Sequence, residues 1–568
     1  MREAPSPQAA SFRSAIWCVG VMLAVVAAWG AYTQHAWEDF YISFRASRNL
    51  AAGDGLVYQV GERLHTFTSP LHTLLLAVLA FVARTGEDAT LALWLYRLVG
   101  GAALGGAVFF VLRLGQACAW PRAALVGGVG LVACDAKSID FTVSGMETPL
   151  LLLFLALNLH ALFAGEGWRR LGVAWAGLMW SRPDAFIFIG ASLTGMLVFG
   201  CADGAERRRL LRRIARAALL AGALYGPWLV WAHLYYGSAV PHTVVAKGLV
   251  HHGRSVRGVL EGILRSPFEM FVHGKLLPWI YGATYTRAVW DWGELFHTGW
   301  RLLALPAWIY WLNPWGGRAA RGAALAFFLA TLYGTNVPFM PWYAPPYALM
   351  ASVAWGFILA DLWRCADSPL TGGDATRRRR LRRFVAGFAV VLVTVPITTS
   401  AVMARTMRLQ QAIIETGHRR EIGRWLRDQA RPGDAVFLEC VGYIGYFSGL
   451  KMLDFPGLTS REVIAARRKL ASDSFGQLIS ELDPDWLVLR SSEVEEAKGD
   501  VPGLLADGSG RPARYELVRV FDRTADVAAI RRLFGRLYLE MDQRFEVYRR
   551  RAIDRPSGTA TKANNPPG

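Results

Sequence analysis

Residues 207–235 read RRRLLRRIARAALLAGALYGPWLVWAHLY. Six arginines, Arg207, Arg208, Arg209, Arg212, Arg213 and Arg216, crowd its start, and an apolar run over 214–235 follows. A run of about 20 apolar residues crosses about 30 Å of hydrocarbon. Arginines beside such a run mark a cytoplasmic loop facing anionic lipid. A second cluster, Arg377 to Arg380 with Arg382 and Arg383, stands in the same relation to the run 384–402.

Further apolar runs lie near 15–32, 71–83, 91–112, 121–134, 148–164, 171–180, 185–200, 300–312, 319–335 and 341–362. Composition agrees with a membrane protein: 53% of the 568 residues are hydrophobic, only 19% are charged, and mean hydropathy is +0.26. A soluble domain is nearer a quarter charged. The net charge of +18 suggests nucleic acid at first, but the two arginine clusters supply two-thirds of it, and topology accounts for them. No repeat period recurs, and the six cysteines form no CxxC pair or disulfide framework.

Arg2 and Arg13 precede the first run, so the N-terminus is expected in the cytoplasm. The run 15–32 lacks a small-x-small cleavage site and reads as a retained span rather than a signal peptide. Working outward from the arginine clusters makes 33–70 and 237–299 outer loops and puts everything past 402 outside. Starting inside and ending outside needs an odd number of crossings, and the twelve runs reduce to about eleven transmembrane helices. Either 71–83 is re-entrant, or 171–200 is one helix broken at Ser181-Arg182-Pro183-Asp184. Residues 1–402 then form a polytopic α-helical membrane module and 403–548 an extracytoplasmic α/β domain. In that domain Val436-Phe437-Leu438 and Trp486-Leu487-Val488-Leu489 read as buried strands, alternating with helical stretches at 412–430 and 461–480. Residues 549–568 are expected to be disordered.

The first outer loop is the most informative stretch. Glu38-Asp39-Phe40-Tyr41-Ile42-Ser43-Phe44-Arg45 begins a helical stretch that Gly53 should end. The acids sit at its N-terminus, where the helix dipole favours negative charge, and the helix is expected to lie on the membrane surface. On pattern alone the pair either caps that helix or supplies a carboxylate for acid–base work. Arg182 and Asp184 interrupt an apolar stretch; a charge inside the membrane is functional by default, whereas at a membrane face it marks only a helix boundary. Glu147, in Ser144-Gly145-Met146-Glu147-Thr148-Pro149, is another acid at a helix start. Trp342 and Tyr343 suit either stacking on a sugar face or anchoring at the interface.

Several of these stretches resemble GT-C glycosyltransferases, most closely arabinofuranosyltransferases of the AftB type. The similar elements are Glu38 to Arg45, Gly61-Glu62-Arg63 and Thr68-Ser69-Pro70-Leu71-His72. Others are Tyr235-Tyr236-Gly237 through Pro241-His242-Thr243 and Ala246-Lys247, and Gly442 to Gly449 through Asp454 and Gly457-Leu458-Thr459. The likeness follows the chain in order, and its local matches cover about a fifth of it. Glu38 stands where the family has the first of two aspartates, His72 where it often has an aromatic and His242 where it often has asparagine.

The resemblance implies an inverting glycosyltransferase of the bacterial inner (plasma) membrane. Its donor would be a polyprenyl-phosphate sugar, with a pentofuranose among the candidates, and its acceptor a cell-envelope glycan or glycolipid. Asp39 or Glu38 would be the general base, with both assignments open. Lys247 and Arg45 would meet the lipid phosphate, and His242, Tyr236, Arg182, Asp184, Glu147 and Tyr343 would line the substrate site. The absence of a nucleotide-binding glycine loop fits a lipid-linked donor. His251-His252 lack ligand spacing, so no metal motif stands out, yet a divalent cation on Glu38 or Asp39 stays open. Transfer to protein serine or threonine is the alternative within the class. A lipid-linked-sugar transporter or flippase is the alternative outside it and would show inverted repeats, but no second copy of the first-loop acids occurs.

Overall fold

The computed structural model describes residues 7–250, 256–272, 276–283, 293–336, 340–367, 374–506, 513–530 and 536–551. The expected disordered tail past Arg551 and the His251-His252 pair lie outside the described residues. Every apolar run named above contains helix. Among the described residues six helices are long and apolar enough to cross a membrane: Ser11–Thr33, Thr90–Ala117, Pro183–Gly200, Gly204–Tyr236, Pro341–Cys365 and Ala375–Gln429. The protein is a multi-pass membrane protein. The remaining helices are shorter, Pro70–Val82 having 13 residues and Trp168–Ser181 having 14, so helix length alone does not yield eleven crossings.

Both arginine clusters fall in the first turns of long helices, Gly204–Tyr236 and Ala375–Gln410, where the helix dipole disfavours cations. Aspartates cap those ends instead: Asp203 accepts from the Glu206 amide and Asp374 from the Thr376 amide, each at 2.7 Å. The arginines therefore answer to the membrane boundary rather than to the helix. The stretch 171–200 breaks at Arg182, whose φ of −158° and ψ of 136° take it out of the helix ahead of Pro183.

Helical structure runs on from Ala375 to Gln429, through a π-helical segment at Gln411–Arg419, so no helix break falls near 402. A five-stranded sheet follows: β1 (Ala435–Leu438), β2 (Lys451–Asp454), β3 (Trp486–Arg490), β4 (Tyr515–Asp522) and β5 (Arg544–Arg550), in the order β2-β1-β3-β5-β4. β1 pairs in parallel with β2 and β3, while β5 runs antiparallel to both β3 and β4. The two expected strands are the central parallel pair. β4 is exposed at five consecutive residues and shows no apolar alternation, which is why its sequence is silent.

The helix Glu38–Ala52 starts at the acidic pair and stops at Gly53, whose φ of 91° suits glycine. It does not lie open on a surface. Phe40, Tyr41, Ile42, Phe44, Arg45, Ala46, Ser47 and Asn49 are all buried, and the helix is covered by Pro70–Val82 and by Val441–Ser448 of the C-terminal domain. Tyr41 packs against Tyr443 and Tyr446 at ring distances of 4.3 and 5.0 Å. Side chains at Gly442 and Gly445 would collide with the Glu38 carbonyl and the Tyr58 hydroxyl, each 2.1 Å from the added Cβ.

A charge cluster fastens the same contact. Arg419, 2% exposed, reaches Glu38 at 2.9 Å, Glu415 at 3.0 Å and Asp542 at 2.5 Å. Arg490 shares Asp542 at 2.5 Å and also meets Glu439 at 2.7 Å and Glu493 at 2.9 Å. Arg419→Met would leave three acids around an apolar side chain and is expected to cost about 3–5 kcal/mol. A lowered thermal midpoint in detergent reads this, with Arg419→Lys recovering only part because its ammonium lacks the guanidinium fork. An unchanged midpoint for Arg419→Met would mean that domain docking does not depend on this cluster.

Candidate active site

A cavity of about 1740 Å³ lies between the membrane module and the C-terminal domain. Of the residues singled out from the sequence, Asp39, Glu147, Arg182, Asp184, Lys247, Trp342 and Tyr343 line it. Glu38, Arg45, Tyr236 and His242 do not.

Asp39 is half-buried in the second position of its helix, and among the described residues its carboxylate has no hydrogen-bond partner. Loss of water around it pushes its pKa up to about 6 from the usual 3.8; Glu147 and Glu439 add to the rise, while Lys247 and Arg182 oppose it. Glu38, one residue earlier, points elsewhere. It accepts from Arg419 at 2.9 Å and from the Gly442 amide at 2.5 Å. Burial raises its carboxyl to about 7 against the pull of Arg419, with Glu415 adding repulsion.

Across the cavity Arg182 forms a two-pronged pair with Asp184, both contacts at 2.9 Å, and a third bond to Glu147 at 2.9 Å. Its guanidinium lies over the Tyr343 ring, 4.6 Å from the centroid. Two carboxylates thus already offset its charge. Lys247 differs: its ammonium reaches the Tyr343 hydroxyl at 3.3 Å, and among the described residues no carboxylate lies within ion-pair distance of it. It is the cation at this wall with charge to spare.

Arg45 was expected near a phosphate, and the structure places it elsewhere. It is 3% exposed and donates to the carbonyls of Gly445, Gly449 and Leu450 and to Gln59 at 2.8–3.2 Å, while lying over the Tyr58 ring. Those partners engage both terminal nitrogens of its guanidinium, so it ties the first loop to the C-terminal domain. Tyr236 donates to the Leu56 carbonyl at 2.6 Å, and a ring nitrogen of His242 lies 3.3 Å from the Ser460 carbonyl. Both hold the loop rather than face the cavity.

Sequence reasoning named none of the residues by which the C-terminal domain reaches the cavity. Glu439 follows β1, Phe455 and Pro456 follow β2, and Arg490 ends β3, and all four line the cavity. The carboxyl ends of adjacent parallel strands are where α/β sheets commonly present ligand-contacting groups. The β1 and β3 sequences carried that signal once their parallel pairing was known. Among the described residues no group of three or more His, Cys, Asp or Glu side chains is arranged to hold a metal ion.

Residues 406–548 match a family model described as a domain of unknown function, DUF8728. The solved structures of ArnT from Cupriavidus metallidurans bound to undecaprenyl phosphate (14% identity, TM-score 0.49, covering 95% of this chain and 98% of that one) and of the Archaeoglobus fulgidus oligosaccharyltransferase in complex with Zn and sulfate (11%, 0.49, 85% and 70%) also match. Among curated proteins, the terminal beta-(1->2)-arabinofuranosyltransferase of Mycobacterium tuberculosis is 30% identical over 280 residues, 46% of this chain and 42% of that protein. The protein of the same name from Corynebacterium glutamicum is 31% identical over 252 residues, 39% and 34%. The chain spans less than half the length of either relative. Within those matched stretches it is similar to terminal beta-(1->2)-arabinofuranosyltransferases, in line with the resemblance carried by the first-loop motif.

Proposed function

We propose that the protein is an inverting glycosyltransferase that moves a sugar, in the simplest case a pentofuranose, from a polyprenyl-phosphate donor to a cell-envelope glycan or glycolipid. In this reading it sits in the bacterial inner membrane with its N-terminus in the cytoplasm and its C-terminal domain outside. The observation that carries the reading is Asp39: a carboxylate without a hydrogen-bond partner among the described residues, its pKa lifted to about 6, sharing one cavity with Lys247, a cation without an ion-pair partner among those residues. The similarity to arabinofuranosyltransferases supports the choice of reaction class.

In the proposed step the Asp39 carboxylate takes the proton of an acceptor hydroxyl as that oxygen bonds to the anomeric carbon. The bond from that carbon to the phosphate oxygen breaks, and its electron pair leaves with the lipid phosphate. Lys247 offsets the charge that develops there, with Arg182 and Tyr343 holding the wall around it. A carboxylate with a pKa near 6 is a stronger base than one near 4 and is still mostly ionised at neutral pH. Glu38, in this reading, positions its neighbour through Arg419 and takes no proton. Carboxylates at both Glu439 and Asp39 suit an acceptor rich in hydroxyl donors.

Asp39→Asn is expected to lower sugar transfer by about 10²–10⁴-fold with donor binding kept. Glu38→Gln should lower thermal stability more than the rate per folded molecule. Transfer at the wild-type rate by Asp39→Asn would remove the proposed base. The active form is the ionised one, so kcat/KM should fall as pH drops through about 6, and a profile flat from pH 5 to 8 would argue against Asp39. Lys247→Met should weaken donor binding roughly ten- to hundredfold, the worth of one charge-assisted hydrogen bond. Unchanged donor affinity would move the phosphate site elsewhere.

A further inference from the structure

Three residues outside the proposed chemistry share one patch of the cavity wall: His65, Thr66 and Thr243. The His242 amide donates to the His65 carbonyl at 2.8 Å, which sets the start of the helix His242–Val250 against the first outer loop. All three side chains are more than nine-tenths buried, at 2%, 2% and 7% exposure. Both ring nitrogens of His65, the Thr66 hydroxyl and the Thr243 hydroxyl nevertheless have no hydrogen-bond partner among the described residues. A buried polar atom without a partner costs about 1–3 kcal/mol, and native proteins carry few of them. Four in one patch of a cavity wall call for a ligand.

The chemistry of the patch narrows that ligand. The His65 ring lies flat on Tyr236 at 4.7 Å and meets the edges of Phe67 at 4.8 Å and Trp228 at 5.8 Å. Burial among these rings holds its pKa down to about 4, so the imidazole is neutral and offers one donor and one acceptor. The two threonines offer the same pairing. Nothing here would neutralise a phosphate, whereas hydroxyl groups, each donor and acceptor at once, match it. The register of the helix adds the location: Thr243 and Lys247 are four residues apart and so share one face. The polar atoms are covered by their neighbours, and rotation about χ1 of either threonine exchanges Oγ1 with Cγ2 at nearly constant volume.

We propose that His65, Thr66 and Thr243 form a subsite for the hydroxyl groups of an uncharged sugar ring, beside the phosphate position at Lys247. The assignment of that sugar to the donor rests on the function proposed above; a sugar of the acceptor would present the same chemistry.

The test titrates full-length protein in detergent with three probes: a polyprenyl-phosphate pentofuranose, the same polyprenyl phosphate without sugar, and a lipid-free methyl pentofuranoside oligosaccharide. Wild type is compared with Thr66→Val/Thr243→Val and with His65→Phe, which keeps a ring on Tyr236. The double variant should bind the sugar-bearing lipid about tenfold more weakly and the bare lipid as wild type does. Its thermal midpoint without ligand should match or exceed that of wild type, since two unsatisfied hydroxyls have gone. His65→Phe should show the same selectivity. Loss confined to the oligosaccharide keeps the subsite and assigns it to the acceptor. Equal weakening for bare and sugar-bearing lipid, unchanged binding of every sugar probe, or a lowered midpoint without ligand would each overturn the subsite. If wild type binds neither lipid, the donor reading fails on its own. The oligosaccharide arm then still decides the subsite: loss of binding in the double variant supports it, and retained binding overturns it.

Discussion

The architecture turns on one guanidinium. Arg419, nearly sealed from solvent, joins Glu38 of the first outer loop to Glu415 and Asp542 of the C-terminal region. Without it, three buried acids would repel one another at the seam between the two parts of the chain. With it, the helix Glu38–Ala52 is held at its first residue. Consecutive residues on an α-helix point about 100° apart, so fixing Glu38 toward Arg419 sends Asp39 to a different surface, the cavity. Two adjacent acids that look interchangeable in sequence thereby receive different surroundings.

The cavity wall is sorted by charge in the same way. Arg182 is the more buried cation, yet Asp184 and Glu147 occupy its donors, and it serves chiefly to stiffen that wall under Tyr343. Lys247 stands at the end of a short helix with no acid bonded to it among the described residues. The opposite wall comes from the carboxyl ends of β1, β2 and β3, which bring Glu439, Phe455 and Arg490 into the cavity. The membrane module thus contributes Asp39, Glu147, Asp184, Arg182 and Lys247 to the cavity, and the C-terminal domain contributes Glu439, Glu493 and Arg490.

Much of the fold was legible because its signals are local. A run such as 214–235 must be helical to satisfy its backbone in lipid, and Gly53 ends the first-loop helix because glycine enters the left-handed region without strain. The strands around Val436 and Trp486 declared themselves by short apolar runs bounded by turns. β4 did not, since its exposed residues lack alternation, and its place is set by pairing with β5. Neither was the number of crossings legible, because helices such as Pro70–Val82 are too short for length to decide.

The candidate site divides along the same line. The sequence by itself determined that this is a multi-pass membrane protein with a C-terminal α/β unit, and it brought Asp39, Arg182 and Lys247 into consideration through residue type and context. Only the tertiary structure decided that Arg45 spends its donors on backbone carbonyls, that Glu38 is bound by Arg419, and that Glu439 and Arg490 reach the same cavity as Asp39. The physical reason is that helix formation, membrane insertion and turn geometry depend on near neighbours in the chain. A carboxylate's or guanidinium's role depends instead on which partners, hundreds of residues away, come within 3 Å of it.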